Sequence, residues 1–413
     1  MSLVVQKFGG TSLGDAQKIH RAARRAIQAR LDGADVVMVV SAMGGTTDKL
    51  IDLAREVTPR PPRRELDMLL TTGEQVSIAL MAMAIDTAGH RAISLTGGQL
   101  GLVTDSVHTQ ARIQRISKDR LARELSAGNI VIVAGFQGID ERGEITTLGR
   151  GASDTTAAAL AAVLDADVCE IYTDVDGVYT SDPRIVPQAR KLSRIGYDEM
   201  LELAGAGAKV MHSRAIEFGK KYNVPIHVRS SLIDLPGTMI MAETPGMEDV
   251  VVRGVTLQGN LATVVMIGVP NTPGTASSIF AEVARHNIVV DDIVQNIYDH
   301  GRIANIGFST QEHEVERVRE ICEAMARERG FGKVEVDENV CKVSVVGIGM
   351  RSHAGVASKV FSVLAEARIN IHTISTSEIV IGCIVNAEDG HRAMQHLHEA
   401  FGLDQEDPPA SSG

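Results

Sequence analysis

Two periodicities alternate along the first 230 residues. Leu3–Val4–Val5–Gln6–Lys7–Phe8 is a short, nearly continuous apolar run of strand length, and Ala16, Ile19, Ala23, Ile27 and Leu31 then recur at helical spacing. Asp35–Val36–Val37–Met38–Val39–Val40 predicts a second buried strand, followed by a small-residue turn, Ser41–Ala42–Met43–Gly44–Gly45–Thr46–Thr47–Asp48, and a helix from about Lys49 to Arg55. Pro59, Pro61 and Pro62 break the pattern. After them we read one helix over Arg64–Leu70 and a second opened by Thr71–Thr72–Gly73–Glu74 and reaching Ala88, with Glu74 placed to complement its dipole. Strands are predicted over Ala92–Leu95, Asn129–Ala134, Val168–Tyr172 and Val224–Arg229, with an alanine-rich helix over Thr155–Leu164 and a linker over Ser230–Asp249. Strand, glycine turn and helix thus alternate, which is the pattern of a doubly wound, mostly parallel α/β sheet.

Ligands of such sheets sit at the carboxyl ends of the strands, where Lys7 and Ser41 face one crevice. An ammonium beside Gly9–Gly10 and a helix starting near Asp15 make a site for a phosphoryl group. It is not the Walker loop: Gly9 and Gly14 have the glycine spacing, but Asp15 stands where the lysine is needed. Gly149–Arg150–Gly151, Gly205–Ala206–Gly207 and Gly347–Ile348–Gly349 each lack the third glycine of the dinucleotide fingerprint.

The charge balance narrows the partners. A net charge of −11, with no basic run, argues against a nucleic-acid surface, so an anion site must concentrate its own cations. Cys169, Cys322, Cys341 and Cys383 are scattered, as in reduced thiols of a cytosolic protein, and no metal-binding spacing is seen. No signal peptide is read at the N-terminus, and no apolar run is read as long enough to cross a membrane.

Beyond the linker the chain repeats itself. Val265, Ile267, Gly268, Gly274, Phe280, Ile288, Val290 and Ile293 recur as Val346, Ile348, Gly349, Gly355, Phe361, Ile369, Ile371 and Ile374, always 81 residues on. Each copy reads strand, glycine turn, helix, strand, strand, helix, a βαββαβ module. The tail from Gln405 to Gly413 is polar and reads as disordered.

Five segments taken together carry a resemblance: Lys7–Phe8–Gly9–Gly10–Thr11–Ser12, Ser41–Ala42–Met43–Gly44, Gly73–Glu74, Leu148–Gly149–Arg150–Gly151–Ala152–Ser153–Asp154, and Thr173–Asp174–Val175–Asp176–Gly177–Val178–Tyr179–Thr180–Ser181–Asp182–Pro183–Arg184. In this order they resemble the bacterial aspartate kinase family. The repeated modules resemble its paired ACT domains, with Ile374–Ser375–Thr376–Ser377–Glu378–Ile379 as a second-module signature. The resemblance implies an amino-acid-kinase domain over residues 1–245, ACT modules over 260–338 and 340–404, and transfer of the γ-phosphoryl group of ATP, with Mg²⁺, to the side-chain carboxylate of L-aspartate. That nucleophile is already ionised at neutral pH, so no general base is needed, in keeping with motifs that hold no cysteine and no evident catalytic histidine.

By the same resemblance Lys7 contacts the transferring group, and Asp154 holds the α-ammonium of the acceptor or orients the lysines; the Gly9 and Gly10 amides and Mg²⁺ add charge screening. Ser41, Thr47, Glu74, Phe136, Arg150, Gly151 and Ser153 form the acceptor end, Arg150 on the α-carboxylate and Glu74 on the α-ammonium. Thr173, Asp174, Tyr179, Arg184 and Lys209 form the nucleotide side. No residue is assigned to a metal. The ACT pair implies feedback by lysine, threonine or both, with Asn271, Thr275, Ala276, Gln295, Asn296, Ile371, Ser377 and Glu378 as effector contacts. Asn271 departs from the family pattern, which has Asp at that place. The resemblance further implies a cytoplasmic homo-oligomer, or an assembly with a separate ACT-only subunit; Met241 and Met247 are candidate starts for such a subunit only by their position in the linker. Two other readings stand beside it: a kinase of the same fold with another acceptor, and a regulatory amino-acid-binding protein with an inactive kinase domain.

Overall fold

The computed structural model describes residues 2–405 except 208–209, 244–250, 287, 352 and 354, with the backbone alone at Arg351. Lys209, Met247 and most of the polar tail lie outside the described residues. The chain divides into two compact units: Met1–Tyr179, Lys191–Ala204 and Lys209–Met247 form the first, and Thr180–Arg190, Gly205–Ala208 and Glu248–Gly413 the second.

The first unit contains, in chain order, β1 (Leu3–Phe8), α1 (Ala16–Leu31), β2 (Asp35–Val40), α2 (Thr46–Val57), α3 (Arg63–Thr87), β3 (Ala92–Leu95), α4 (Gly97–Leu100), β4 (Leu102–Thr104), β5 (Ile113–Ile116), α5 (Asp119–Ser126), β6 (Ile130–Ala134), β7 (Gln137–Ile139), β8 (Ile145–Thr147), α6 (Ser153–Leu164), β9 (Val168–Thr173), β10 (Arg194–Gly196), α7 (Tyr197–Gly205), α8 (Ser213–Tyr222), β11 (Ile226–Ser230) and β12 (Thr238–Met241). Eight strands form one sheet in the order β10-β12-β11-β9-β1-β2-β6-β3, parallel throughout except where β11 meets β12. The order reverses around β1, which lies between β2 and β9 with Lys7 beside Val39 and Ile171. Ligands of doubly wound sheets bind at such a switch point. The central strands are buried on both faces, as their unbroken apolar runs require: Val37, Met38, Val39, Val40 and Ile132 are inaccessible to solvent. A second, four-stranded sheet has the order β5-β4-β7-β8.

Three expectations are corrected here. The two helices read over residues 64–88 are one helix, α3. The hydroxyls of Thr71 and Thr72 bond back to the Met68 and Leu69 carbonyls, so this Thr–Thr–Gly segment continues the helix instead of starting one. Glu74 is therefore mid-helix, and the dipole role expected of it falls away. By length and composition α3 also passes for a membrane span, with 25 residues and a best-window mean hydropathy of 1.4. It is nonetheless a core helix on its inner face, where Met81 and Ile85 are fully buried. Finally, Ser230–Asp249 is not wholly a linker, since β12 pairs antiparallel with β11 within it.

The second unit holds β13 (Gly254–Pro270), α9 (Thr275–Arg285), β14 (Asp291–Tyr298), β15 (Ile303–Gln311), α10 (Val315–Arg329), β16 (Lys333–Val346), α11 (Val356–Glu366), β17 (Thr373–Thr376), β18 (Val380–Asn386) and α12 (Gly390–Ala400). Its six strands run β14-β15-β13-β16-β18-β17. The repeat is visible, but among the described residues the second copy has no fourth strand of its own after α12. The start of β13, Gly254–Gln258, fills that place against Val346–Lys342 of β16, while the rest of β13 serves the first copy. The sequence alignment of the two copies could not show this, because the borrowed strand precedes both. Residues Thr180–Arg190 also belong to this unit: Val255 N–H donates to Thr180 O at 2.8 Å, the Thr180 hydroxyl meets His398 Nε2 at 2.9 Å, and Val186 packs in the apolar core with Val255 and Leu397.

Candidate active site

The site forms where β1, β2, β6 and β9 end. Lys7, the penultimate residue of β1, is nearly buried, and its ammonium lies 2.6 Å from Asp154 Oδ1. Asp154 sits in the first turn of α6. It does not cap that helix; its second oxygen accepts the His212 N–H at 3.1 Å. A lysine and an aspartate with side chains only 11% and 8% exposed are stable together because each neutralises the other. The ion pair fixes the direction in which the Lys7 ammonium faces at the strand ends. A side chain on Gly9 would sit 3.4 Å from Lys7 Nζ, so glycine there keeps the space around the ammonium open.

The turns after β1 and β2 press together. A Cβ on Gly10 would come within 2.7 Å of Ala42 O, and one on Gly73 of α3 within 2.8 Å of Ala42 Cβ. This close approach carries Glu74 into the site. One of its oxygens accepts the Ala42 N–H at 2.9 Å, and the other is buried with no hydrogen-bond partner among the described residues. Burial pushes the Glu74 carboxyl up to about 7, against the lowering effect of the Ala42 bond. A buried carboxyl with one oxygen unsatisfied is a place for a ligand's donor. The Ser41 hydroxyl donates to Ser153 at 3.0 Å, and Ser153 in turn fills the space beside Gly135. Phe136 is buried at a positive φ of 70°, pinned by its N–H to Thr156 and its carbonyl to Leu148 N–H.

Arg150 stands exposed after the turn Leu148–Gly149 and is ion-paired with Asp48 of α2, next to half-buried Thr47. Gly151, with φ of 75°, faces the His212 ring. The structure thus gathers Lys7, Ser41, Glu74, Phe136, Ser153 and Asp154 at the strand ends, with Thr47, Arg150 and Gly151 on the turns beside them.

The nucleotide-side residues are arranged differently. Thr173 ends β9 and donates to Asp174; the Tyr179 hydroxyl donates to Asp176 at 2.9 Å, and burial, with that hydrogen bond second, raises Tyr179 to about 12. Arg184 counts with the second unit, where it is exposed and forked onto Asp182. Two expectations about backbone donors also change. The Gly9 N–H is already given to Tyr172 O at 3.3 Å, because the β1–β9 ladder runs one residue past Phe8. The N-terminus of α1 is capped by Asp15, whose side chain accepts Lys18 N–H.

His212 was not singled out in the sequence. Its N–H holds Asp154, and its Nδ1 accepts the Arg214 N–H at 3.3 Å, which leaves the proton on Nε2; burial lowers its pKa, so the ring is neutral. The signal available was its place three residues after Lys209 in a glycine-rich helix approach.

In the second unit a cavity of about 460 Å³ is lined by residues 270–276 with Gln295, Ala304 and Ile306. It gathers Asn271, Thr275, Ala276 and Gln295 of the expected effector contacts. The Asn271 amide is already committed, donating to Gly301 O and accepting from Gln295. Asn296, Ile371, Ser377 and Glu378 do not line this cavity.

A parallel-sheet crevice with a caged lysine and a buried, half-satisfied glutamate defines a site for phosphoryl transfer onto a small acceptor bearing both charges. The model of the amino acid kinase family matches residues 2–230, and that of the ACT domain matches residues 343–401. The chain is 50% identical over 412 residues to the aspartokinase of Mycolicibacterium smegmatis, with 98% of each chain covered. E. coli aspartokinase III in complex with aspartate and ADP (R-state) superposes with a TM-score of 0.80 at 26% identity, over 97% of this chain and 99% of that one. The same enzyme in complex with lysine and aspartate (T-state) gives 0.75 at 26% identity, over 97% and 99%. The chain belongs to the aspartate kinase family of amino acid kinases.

Proposed function

We propose that the chain transfers the γ-phosphoryl group of ATP to the side-chain carboxylate of L-aspartate, giving 4-phospho-L-aspartate and ADP, and that amino acids bound to its ACT modules regulate it. The observation that carries the acceptor assignment is Glu74, a buried carboxylate with one oxygen awaiting a donor. An α-ammonium satisfies it, and Arg150 released from Asp48 forks onto the α-carboxylate. The side-chain carboxylate then points toward Lys7. Its oxygen attacks γ-phosphorus, the new O–P bond forms, and the bond to the bridging oxygen breaks with its electron pair leaving on ADP. No proton moves, so the catalytic demand is alignment and charge screening. Lys7, held by Asp154, supplies the screening from this chain, and Ser41 and Ser153 complete the acceptor wall.

Among the described residues no group of three or more His, Cys, Asp or Glu is placed to hold a metal. Magnesium enters in this reading as part of the Mg·ATP substrate, carried by the phosphates, as is usual for this ion. Thr173, Asp174 and Tyr179 are assigned to the nucleotide, with Lys209 as a further cation for its phosphates.

The cavity at Asn271 is the proposed effector site, and its size suits a single amino acid. Lysine is the first candidate, as the E. coli relative is solved with lysine and aspartate; threonine is the second. The edge strands β14 and β17 leave Ile293, Ile297 and Ile374 about half exposed, which supports pairing with a second copy across subunits. Four buried free cysteines support a reducing, cytoplasmic setting. An acceptor panel of aspartate, glutamate, acetylglutamate, carbamate and UMP, read by ADP release, tests the assignment. Turnover with an acceptor other than aspartate would redirect it.

A further inference from the structure

Asp67 is fully buried on α3, takes no part in the site described above, and pairs with no lysine or arginine in any described contact. Its carboxylate is spent on three groups from two separate loops. Oδ1 accepts the Thr147 hydroxyl at 2.6 Å, both oxygens accept the Thr109 N–H at 3.0 and 3.2 Å, and Oδ2 lies 2.9 Å from His108 Nδ1. Thr109 is a β-branched residue held at φ of 71°, a conformation that persists only where neighbours enforce it. Thr147 ends β8, and the next residues are Leu148–Gly149–Arg150.

The two loops are locked to each other as well. Ala111 N–H donates to Thr147 O at 2.9 Å, Arg214 donates to Leu148 O at 3.0 Å and to Ala111 O at 3.5 Å, and a Cβ on Gly149 would lie 3.5 Å from Thr109 O. The turn that presents Arg150 therefore rests on Thr109 and Thr147, and both rest on Asp67. Asp67 and Glu74 are seven residues apart, two turns of the same helix, so they share one face of α3.

We propose that Asp67 is a positioning residue for the acceptor: it fixes the turn bearing Arg150 at a set spacing from Glu74, so that one rigid helix gauges the distance between α-carboxylate and α-ammonium. This rests on the acceptor reading given above. A longer or shorter spacing would misplace both ends of the amino acid while leaving the nucleotide untouched.

The test uses the full chain with Asp67→Asn, Thr147→Val, and Asp67→Asn combined with Thr109→Gly or with Arg150→Ala. Asp67→Asn is expected to raise the KM for aspartate about tenfold or more while the KM for ATP moves less than about twofold. Thr147→Val, which keeps the carboxylate, moves aspartate KM the same way if Asp67→Asn fails to fold. Thr109→Gly, which needs no enforcement at positive φ, recovers part of the loss. In the Arg150→Ala background Asp67→Asn adds nothing further, since it acts through Arg150. Equal rises in both KM values, an unchanged aspartate KM in both single variants, or additive losses with Arg150→Ala would overturn the proposal. Amide hydrogen exchange across residues 147–151 decides it without turnover: exchange rises in Asp67→Asn, and unchanged exchange refutes the positioning role. An active site indifferent to aspartate in the unmodified chain would instead sink the acceptor reading.

Discussion

Glu74 offers the sharpest test of acceptor recognition, because its ionisation is set by burial. With its carboxyl at about 7 in the free protein, it is roughly nine-tenths ionised at pH 8 and roughly one-tenth at pH 6. Only the ionised form pairs with an ammonium, and the pair then draws the pKa back down. Aspartate binding should therefore weaken about tenfold from pH 8 to pH 6, while neither carboxylate of the substrate changes charge in that window. Calorimetry in two buffers of different ionisation enthalpy should show release of roughly 0.9 proton per aspartate bound at pH 6 and roughly 0.1 at pH 8. Glu74→Gln should abolish the pH dependence and cost about 3 kcal/mol, or about a hundredfold in affinity, by leaving the ammonium unpaired. Stability follows the opposite course. The folded pKa is raised, so Glu74 favours the fold most fully below its ordinary 4.5, and that contribution, roughly 3 kcal/mol, is lost as pH rises through about 7. The ligand-free protein should thus lose Tm between pH 5 and 8 relative to Glu74→Gln. An aspartate KM that stays flat from pH 6 to 8, with no proton released, would refute the reasoning.

Four other substitutions separate acceptor binding, chemistry and regulation. Lys7→Ala should lower kcat by a hundred- to a thousandfold, about 3–4 kcal/mol of charge stabilisation, with the fold intact by circular dichroism; full turnover would remove Lys7 from the chemistry. Arg150→Ala should raise the KM for aspartate about a hundredfold, whereas Asp48→Ala should lower it by at most about fivefold, since an exposed pair is worth no more than about 1 kcal/mol. Asn271→Asp should change the concentration of lysine or threonine needed for half-inhibition without altering kcat, measured by ADP release with each amino acid titrated in.

The alternation of strands, glycine turns and helices was legible, because apolar runs buried on both faces of a parallel sheet leave a strong imprint, as in Asp35–Val40 and Ile130–Ala134. The Lys7, Ser41 and Asp154 neighbourhoods were legible as motifs at strand and helix ends. What was not legible depends on approach between distant segments. Gly73 reads as a helix start, yet it is a notch in the middle of α3 that lets Ala42 in, and only that contact explains why Glu74 is buried. His212 reads as an ordinary helix-approach residue until its backbone is seen holding Asp154. Asp67 carries no local signal, since its partners lie 41, 42 and 80 residues away. The fourth strand of the second module was hidden because Gly254–Gln258 lies outside the repeat it completes.

The central claim is tested most directly by ADP release from Mg·ATP with L-aspartate, with and without lysine and threonine, singly and together. The account predicts turnover that depends on aspartate and falls when an effector amino acid is added. Turnover independent of aspartate, or no ADP release with aspartate while another acceptor supports it, would contradict it.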